Sequence, residues 1–239
     1  MRLRNKCEVS FHTREEDLMA YRASERHQRR QAMRTRLLDA ARLLFIHQGY
    51  AATTIPQVVQ LAGTSVGNCY FYFANKEALL HGVVEEFIQQ IAQQIDAATA
   101  AVAPGPPQLA VALARGVQVA LEQKELIRVL FIEKPELRSL VLEHFASRLS
   151  DFLSRGNIPF SPLEQRRIVL AYQGAVFQLI EAVLSGDLQE DAHALGRFLA
   201  CWNLQALGLP PEAVAQGLAA LDTTQFPSQG KRSPTPPSS

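Results

Sequence analysis

Apolar residues recur at helical intervals along most of the chain, and the first firm pattern starts near Gln31. Its apolar positions stand three or four residues apart: Leu37, Leu38, Ala41, Leu44 and Phe45. This spacing predicts an amphipathic helix, and Gly49 predicts its end. Before Gln31 the chain is polar, and Thr13 and Glu16 have the spacing of a capping box. A helix beginning at Thr13 and a flexible arm both fit this segment.

Three more helices are predicted before residue 104. Thr54 is typical of the N-cap of a short helix, and Gly63 predicts where that helix ends. Ser65 predicts the N-cap of a second short helix. Asn75 predicts the start of a long helix, whose apolar stripe continues to Ile95 and which meets no helix breaker up to residue 101.

Residues 104–107 contain three prolines and a glycine, which predict a loop and the clearest internal boundary. Five or six helical patterns follow. The pattern from Pro162 past Glu181 is apolar on nearly every side, so it needs cover from its own domain or from a second subunit. Another pattern covers residues 191–207. Residues 227–239 are rich in proline and serine and are expected to be disordered.

The chain contains no alternating strand pattern, so the predicted fold class is all-α. We divide it into an N-terminal extension at residues 1–30 (an arm or an extra helix), a three-helix helix-turn-helix domain at 31–80, a helical domain at 81–226 and a tail at 227–239. The 239 residues, 47% of them hydrophobic, suffice for a substantial core.

Charge is concentrated near the N-terminus, although the whole chain carries a formal net charge of only +1. Residues 22–42 hold seven arginines and two acidic residues, a local net charge of +5. Such a segment is typical of a confined phosphate-binding surface. A solvated helix face is the alternative interpretation of a charge run.

The three cysteines have neither disulfide nor metal-ligand spacing, so no metal site is predicted. We find no apolar run approaching the roughly 20 residues that span a bilayer, and the N-terminus is too polar for a signal peptide. These observations predict a cytoplasmic protein without a membrane partner. No glycine-rich phosphate loop, nucleophile elbow or HExxH pair is present, so we expect no catalytic residue, no cofactor and no enzyme.

The two short helices around Gly63 have the parts of a DNA-reading unit. Glycine permits the sharp turn between them, and Ser65 opens the second helix. That helix begins with the small residues Val66, Gly67 and Asn68. Such a face fits the major groove, where Asn68 can hydrogen-bond a base edge and Val66 can contact a thymine methyl group.

Polar side chains around this unit are candidates for phosphate contacts. The hydroxyl groups of Tyr70 and Tyr72 can reach phosphates. Lys76 lies in the first turn of the next predicted helix, where free backbone N–H groups also attract phosphate, and Thr54 can do the same at the start of the first short helix.

Residues 36–80 resemble the DNA-binding domain of the tetracycline-repressor (TetR) family. The matching residues occur in order and without gaps: Ala40, Ala41, Phe45, Gly49, Tyr50, Thr53, Thr54, Ala62, Gly63, Ser65, Gly67, Tyr70, Tyr72, Phe73, Lys76 and Glu77. The resemblance implies phosphate contacts from Thr54, Tyr70, Tyr72 and Lys76, and base reading by Val66, Gly67 and Asn68.

The match covers about a fifth of the chain and has three departures. Cys69 replaces the usual aliphatic residue of the recognition helix, and Val59 stands where alanine is common. The N-terminal extension is longer than the family requires. It is either a minor-groove arm using Arg29, Arg30 and Arg34 or a consequence of start-site choice.

The resemblance also implies a C-terminal domain that binds a ligand and dimerises by packing its last two long helices against those of a partner. The sequence independently offers two such segments, at residues 162–185 and 191–207. A pocket is expected among the helices after the linker and the helix from Asn75. Candidate lining residues are polar interruptions of apolar faces, with two phenylalanine walls: Phe131, His144, Tyr172, Gln173, Phe177, Gln178 and Glu181.

The sequence therefore predicts a homodimeric transcriptional regulator that reads a palindromic operator in double-stranded DNA. The expected form is a repressor whose DNA binding is relieved by an unidentified hydrophobic or amphipathic small molecule. Two alternatives remain at this point: control by a protein partner, and architectural DNA binding without sequence choice.

Overall fold

The computed structural model describes residues 5–155 and 160–224, and for residues 5–20, 131, 132 and 155 only the backbone. Every regular element in these ranges is a helix. The chain divides into two compact units, residues 1–83 and 84–239. The predicted tail at 227–239 lies outside the described residues.

The α-helices are α1 (Asn5–Ala52), α2 (Ile55–Ala62), α3 (Val66–Tyr72), α4 (Lys76–Thr99), α5 (Pro106–Glu122), α6 (Lys124–Arg128), α7 (Arg138–Arg155), α8 (Pro162–Ser185), α9 (Ala192–Ala206) and α10 (Pro211–Thr223).

The first helix is longer than the sequence pattern predicts. It begins at Asn5 and passes through Thr13 without a break, so the predicted start at Thr13 is wrong and residues 5–30 belong to a helix and not to a flexible arm. The predicted boundary at residue 30 falls inside this helix. Gly49 breaks the helical conformation with φ 81°, a value that suits glycine, and one short turn follows it to Ala52.

The turn between α2 and α3 depends on Gly63, which adopts a left-handed conformation with φ 64°. The Arg36 guanidinium donates to the carbonyl oxygen of Ala62 and closes the turn from the α1 side. Ser65 caps α3, since its Oγ accepts from the backbone N–H of Asn68 at 3.2 Å. Asn75 caps α4 in the same way, accepting from the N–H of Ala78 at 2.7 Å.

The core of the first unit confirms the predicted apolar faces. Buried side chains come from all four of its helices: Leu37, Leu38, Ala41, Phe45, Ile55, Val58, Val59, Ala62, Cys69, Phe73, Leu79, Leu80 and Val83. Leu44 is only partly buried. Cys69 is fully buried, and this burial raises the pKa of its thiol, so the residue fills the apolar position that an aliphatic side chain would take.

The second unit is built around α5, which packs against both α9 and α10. Gly196 lets α9 approach closely, because a Cβ atom there would lie 2.9 Å from the carbonyl oxygen of Ala114 on α5. The buried cluster includes Leu109, Leu113, Ala200 and Leu204. A π-helical turn and a 3₁₀ turn separate α6 from α7.

One helix among the described residues, α8, is long and apolar enough to cross a membrane by length and composition. The expectation that no such run exists is therefore wrong. Its buried residues Val169, Tyr172, Ile180 and Leu184 lie on one side of the helix. Leu163 and Leu170 are 58% and 56% exposed, so the described residues leave a second apolar side of the helix uncovered.

Candidate nucleic-acid interface

The recognition helix predicted from the sequence, α3, presents an exposed face at the surface of the first unit. Val66 is 39% exposed, Tyr70 52% and Phe71 66%. The buried side of the same helix is held by Cys69. Because α3 has only seven residues, its position is set by this buried contact and by the turns at its ends and not by its own helical stability.

Gly67 lies on this face beside open space. A Cβ atom at Gly67 would meet no packing neighbour among the described residues within 4 Å, whereas one at Gly82 would meet a side-chain carbon of Leu38 at 2.8 Å. The packing of the chain therefore explains the glycine at position 82 and not the one at position 67. Gly67 is the second residue of α3, and no packing contact among the described residues requires a glycine there.

Asn68, predicted to read a base edge, is half-buried and engaged within the chain. Its amide nitrogen donates to the hydroxyl oxygen of Thr64 at 2.7 Å. Tyr72 is also half-buried, with its ring edge-on to Phe71 at 5.1 Å between centroids. Of the candidate residues on α3, Val66, Gly67 and Tyr70 are exposed together with the capping Ser65.

Lys76 occupies a position that the sequence did not predict. Its Nζ donates to the carbonyl oxygens of Tyr50 at 2.8 Å and Thr53 at 2.9 Å, and it lies 4.2 Å from the Tyr50 ring centroid. The ammonium thus ties the turn between α1 and α2 to the start of α4. Thr54 is the N-cap of α2, and its N–H and hydroxyl both donate to the Gln57 side-chain oxygen at 2.9 Å.

Two aromatic contacts on this unit were missed by the sequence reasoning. The Arg30 guanidinium lies 5.6 Å from the Phe71 ring centroid, and that of Arg34 lies 5.5 Å from the Phe73 ring centroid. The available signal was the four-residue interval between the two arginines, which places them on one side of a helix.

A cavity in the second unit opens between α4, α5, α7 and α8. Its enclosed space is small, about 50 Å³, and its wall is mostly apolar, with Ile91, Val117, Ile127, Val141, Phe145 and Val176 among the lining residues. Tyr172 and Gln173 also line it. Burial raises the pKa of Tyr172, so its phenol stays protonated near neutral pH. The Gln173 amide nitrogen donates to the carbonyl oxygen of Leu142 at 2.6 Å.

The other predicted pocket residues are placed elsewhere. His144 lies on α7 with its ring edge-on to Phe145, and its buried Nε2 has no hydrogen-bond partner among the described residues. The Phe177 ring lies under the Arg138 guanidinium at 3.9 Å. Gln178 is exposed and donates to Glu181 at 3.0 Å. The side chain of Phe131 is outside the described residues.

In the second unit, the exposed large apolar side chains lie mainly on α8 and α9. Besides Leu163 and Leu170, Phe198 is 51% exposed and Trp202 40%. At Gly174 a Cβ atom would meet nothing within 4 Å, so the middle of the exposed face of α8 is open to close approach. Within the described parts of the chain no group of three metal-binding side chains occurs.

These features together define an all-helical protein with an N-terminal helix-turn-helix unit and a C-terminal helical unit that contains a cavity. Residues 37–83 match the family described as "Bacterial regulatory proteins, tetR family". The match shows a DNA-binding domain of the TetR type within the first unit.

Curated relatives match in the same region. The transcriptional regulator QacR of Staphylococcus aureus is 43% identical over 47 residues, 20% of this chain and 25% of the relative. HbdR of an Aromatoleum strain is 37% identical over 70 residues, 28% of this chain and 31% of the relative. The matched segment thus spans about a quarter to a third of these relatives, all of which are described as transcriptional regulators.

Solved structures extend the similarity in fold to most of the chain. The structure of RolR in complex with resorcinol aligns with a TM-score of 0.61 and 20% sequence identity. The alignment covers 84% of this chain and 98% of the RolR chain. The structure of FadR from Bacillus subtilis in complex with stearoyl-CoA aligns with a TM-score of 0.58 and 20% sequence identity. This alignment covers 74% of this chain and 99% of the FadR chain. At this level of identity the similarity concerns the fold.

Proposed function

We propose that the protein is a homodimeric repressor that binds a palindromic DNA operator through α3 and releases it when a small molecule occupies the cavity of the second unit. The observation that carries the DNA-binding part is the exposed, unobstructed Gly67 on the recognition helix of a TetR-family domain. A chain that acts on DNA in a bacterium works in the cytoplasm.

The glycine argues for close approach of a partner to α3. Glycine permits close approach of a partner to the backbone, and a Cβ atom at position 67 would occupy space that the described residues leave open. The major groove is wide enough for one helix. Val66 and Asn68 flank this point and supply the base contacts, whereas Thr54, Tyr70, Tyr72 and Lys76 supply contacts to phosphates.

Dimerisation follows from the uncovered apolar side chains of α8 and α9. Leu170, Phe198 and Trp202 would lose water contact if the same two helices of a second copy packed against them. A dimer also places two recognition helices on one duplex. Two half-sites about one turn of DNA apart, roughly 34–36 Å, give far more sequence information than one.

The cavity favours a compact apolar effector with one or two polar groups. Its wall is mostly apolar, as in ordinary small-molecule sites, and Tyr172 and Gln173 are the polar residues of that wall. Resorcinol, the ligand in the RolR structure, has this character, and we extend that ligand class to this chain. Since α4 contributes to both units, it is the element through which occupancy can change the affinity for DNA.

The decisive experiment selects bound fragments from a pool of random duplexes and compares the wild type with Gly67→Gln. The expected result is a palindromic consensus that the wild type prefers by about 10³-fold or more over bulk DNA. Gly67→Gln should fold normally, because its side chain points into open space, and should lose that preference. Selection without a consensus, or equal selection by both proteins, contradicts the proposal.

The effector part is tested separately with resorcinol and decanoic acid as probes. Each is titrated into the complex with the selected duplex, and release is followed by fluorescence anisotropy. Tyr172→Phe retains the ring and removes the hydroxyl group, so it should weaken the response to resorcinol more than the response to decanoic acid. If neither probe raises the melting temperature or releases DNA, the proposed effector class is wrong even though DNA binding stands.

A further inference from the structure

Four arginines recur at intervals of four residues along α1: Arg22, Arg26, Arg30 and Arg34. The helix is continuous through all of them. Because residues four apart lie on the same side of an α-helix, they form one basic stripe that drifts slowly around the axis. From Arg22 to Arg34 it is roughly 18 Å long, at about 1.5 Å per residue.

The stripe begins beside the recognition helix. Arg30 lies over the exposed ring of Phe71 on α3, and Arg34 lies over the ring of Phe73. These two contacts fix which side of α1 the stripe occupies, namely the side that adjoins α3. Arg22 and Arg26 continue the stripe away from α3, and both are exposed.

Within α1 itself, few acidic residues accompany Arg22, Arg26 and Arg30. Glu25 is the single acidic residue between positions 21 and 38. The Glu25 carboxylate lies 3.9 Å from the Arg29 guanidinium. This ion pair is largely exposed, so it contributes little to stability. The Arg26 guanidinium Nε donates to the carbonyl oxygen of Arg22, which orients the side chain along the helix.

We propose that this arginine stripe, Arg22–Arg26–Arg30–Arg34, is a second DNA-binding surface on which the extended α1 holds the phosphate backbone beside the groove that α3 enters. The inference rests on the proposed function. The partner of the stripe is the same duplex that α3 binds. A row of guanidinium groups complements a row of phosphates, and this row adjoins the recognition helix. Phosphate contacts of this kind add affinity and fix orientation without reading sequence.

An anionic membrane surface is the other polyanion that a basic helix can bind, but the described segment lacks the apolar face that such a helix inserts. Between residues 21 and 30 the only large apolar side chain is Tyr21. Membrane-surface helices combine their basic residues with a strong apolar side. The structure therefore favours the duplex over a membrane.

The test measures the salt dependence of binding to a 40-base-pair mixed-sequence duplex and to the selected palindrome. The variants are the double substitutions R22A/R26A and R22K/R26K, with Lys124→Ala, an exposed charge on α6, as the matched control. Arg30 and Arg34 are left in place because both pack on aromatic rings. Circular dichroism confirms that each variant keeps the helical content of the wild type.

We expect R22A/R26A to reduce the slope of log K against log salt by about 2 per subunit on both duplexes, since each lost phosphate contact removes about 0.9. R22K/R26K keeps the charges and should retain the wild-type slope, as should Lys124→Ala. The preferred sequence should not change in any variant.

Four results would overturn the inference. An unchanged slope for R22A/R26A, with normal wild-type binding, would show that the stripe does not contact DNA. The proposed function would still stand. An equal loss in Lys124→Ala shows a general charge effect. Binding of the wild type but not R22A/R26A to phosphatidylserine vesicles, with unchanged DNA slopes, assigns the stripe to membranes. A wild type that binds no duplex overturns this inference and the proposed function together.

Discussion

Lys76 shows how one residue can combine a structural role with a proposed functional one. The sequence pattern indicated a phosphate contact, and the structure adds hydrogen bonds from its Nζ to the carbonyl oxygens of Tyr50 and Thr53. Those carbonyls lie more than twenty positions away in the sequence. No local pattern reveals such a bond, because it depends on how the end of α1 meets the start of α4.

Replacement of Lys76 by alanine should therefore lower the free energy of unfolding by about 1–2 kcal/mol, as expected for the loss of charge-assisted hydrogen bonds at a partly exposed site. Urea denaturation measures this change. The same substitution should flatten the salt slope of DNA binding by about 1 per subunit, one phosphate's worth.

Lys124→Ala serves as the control and should stay within about 0.5 kcal/mol of the wild type, as is usual for exposed positions. A Lys76→Ala protein of unchanged stability would mean that the bonds to Tyr50 and Thr53 contribute nothing. An unchanged salt slope of DNA binding would show that Lys76 does not contact a phosphate.

At the scale of elements, the periodic apolar patterns predicted the helices well and their ends less well. The helices around Gly63 agree with prediction because glycine, serine and asparagine act locally on the backbone. The predicted start of α1 was wrong, because the N-terminal part of this helix is polar and has no apolar stripe from which its start could be predicted. The buried Arg115 of α5 was also missed: it is 2% exposed and pairs with Glu122 at 2.9 Å, while donating to Gln94 on α4.

The approach of α9 to α5 depends on Gly196, where a Cβ atom would lie 2.9 Å from the backbone oxygen of Ala114. Gly196→Ala should lower the free energy of unfolding by about 1–3 kcal/mol, because backbone cannot move aside as a side chain can. Thermal or urea unfolding provides the measurement.

Gly116→Ala is the matched control on α5. Its Cβ atom would meet the Ile95 side chain at 3.4 Å, an ordinary contact, so the helical gain of up to about 1 kcal/mol should be kept. If both substitutions change stability alike, the close approach of α5 and α9 is not what requires glycine at position 196.

At the scale of the whole molecule, the proposed dimer depends on apolar side chains that the chain leaves uncovered. The double substitution L170E/F198E should convert the dimer to a monomer, because it would bury two charges on each side of the interface. Sedimentation velocity measures the change in mass, and affinity for the selected palindrome should fall with it.

Leu140→Glu changes an apolar residue of α7 that is 38% exposed and should leave the dimer intact. Dissociation by this control as well would indicate general unfolding and not a specific interface. A wild type that is monomeric at micromolar concentration would contradict the proposed dimer outright.

The sequence by itself determined the helical class, the helix-turn-helix at residues 54–73 and its relation to the TetR family, because periodicity and capping residues act over a few positions of chain. Only the tertiary structure decided which side chains meet. It brought Arg30 to Phe71 and Lys76 to Tyr50, placed Tyr172 and Gln173 at the cavity, and left Gly67 in open space. Such pairings depend on the packing of helices that are distant in sequence, and no local pattern of residues encodes that packing.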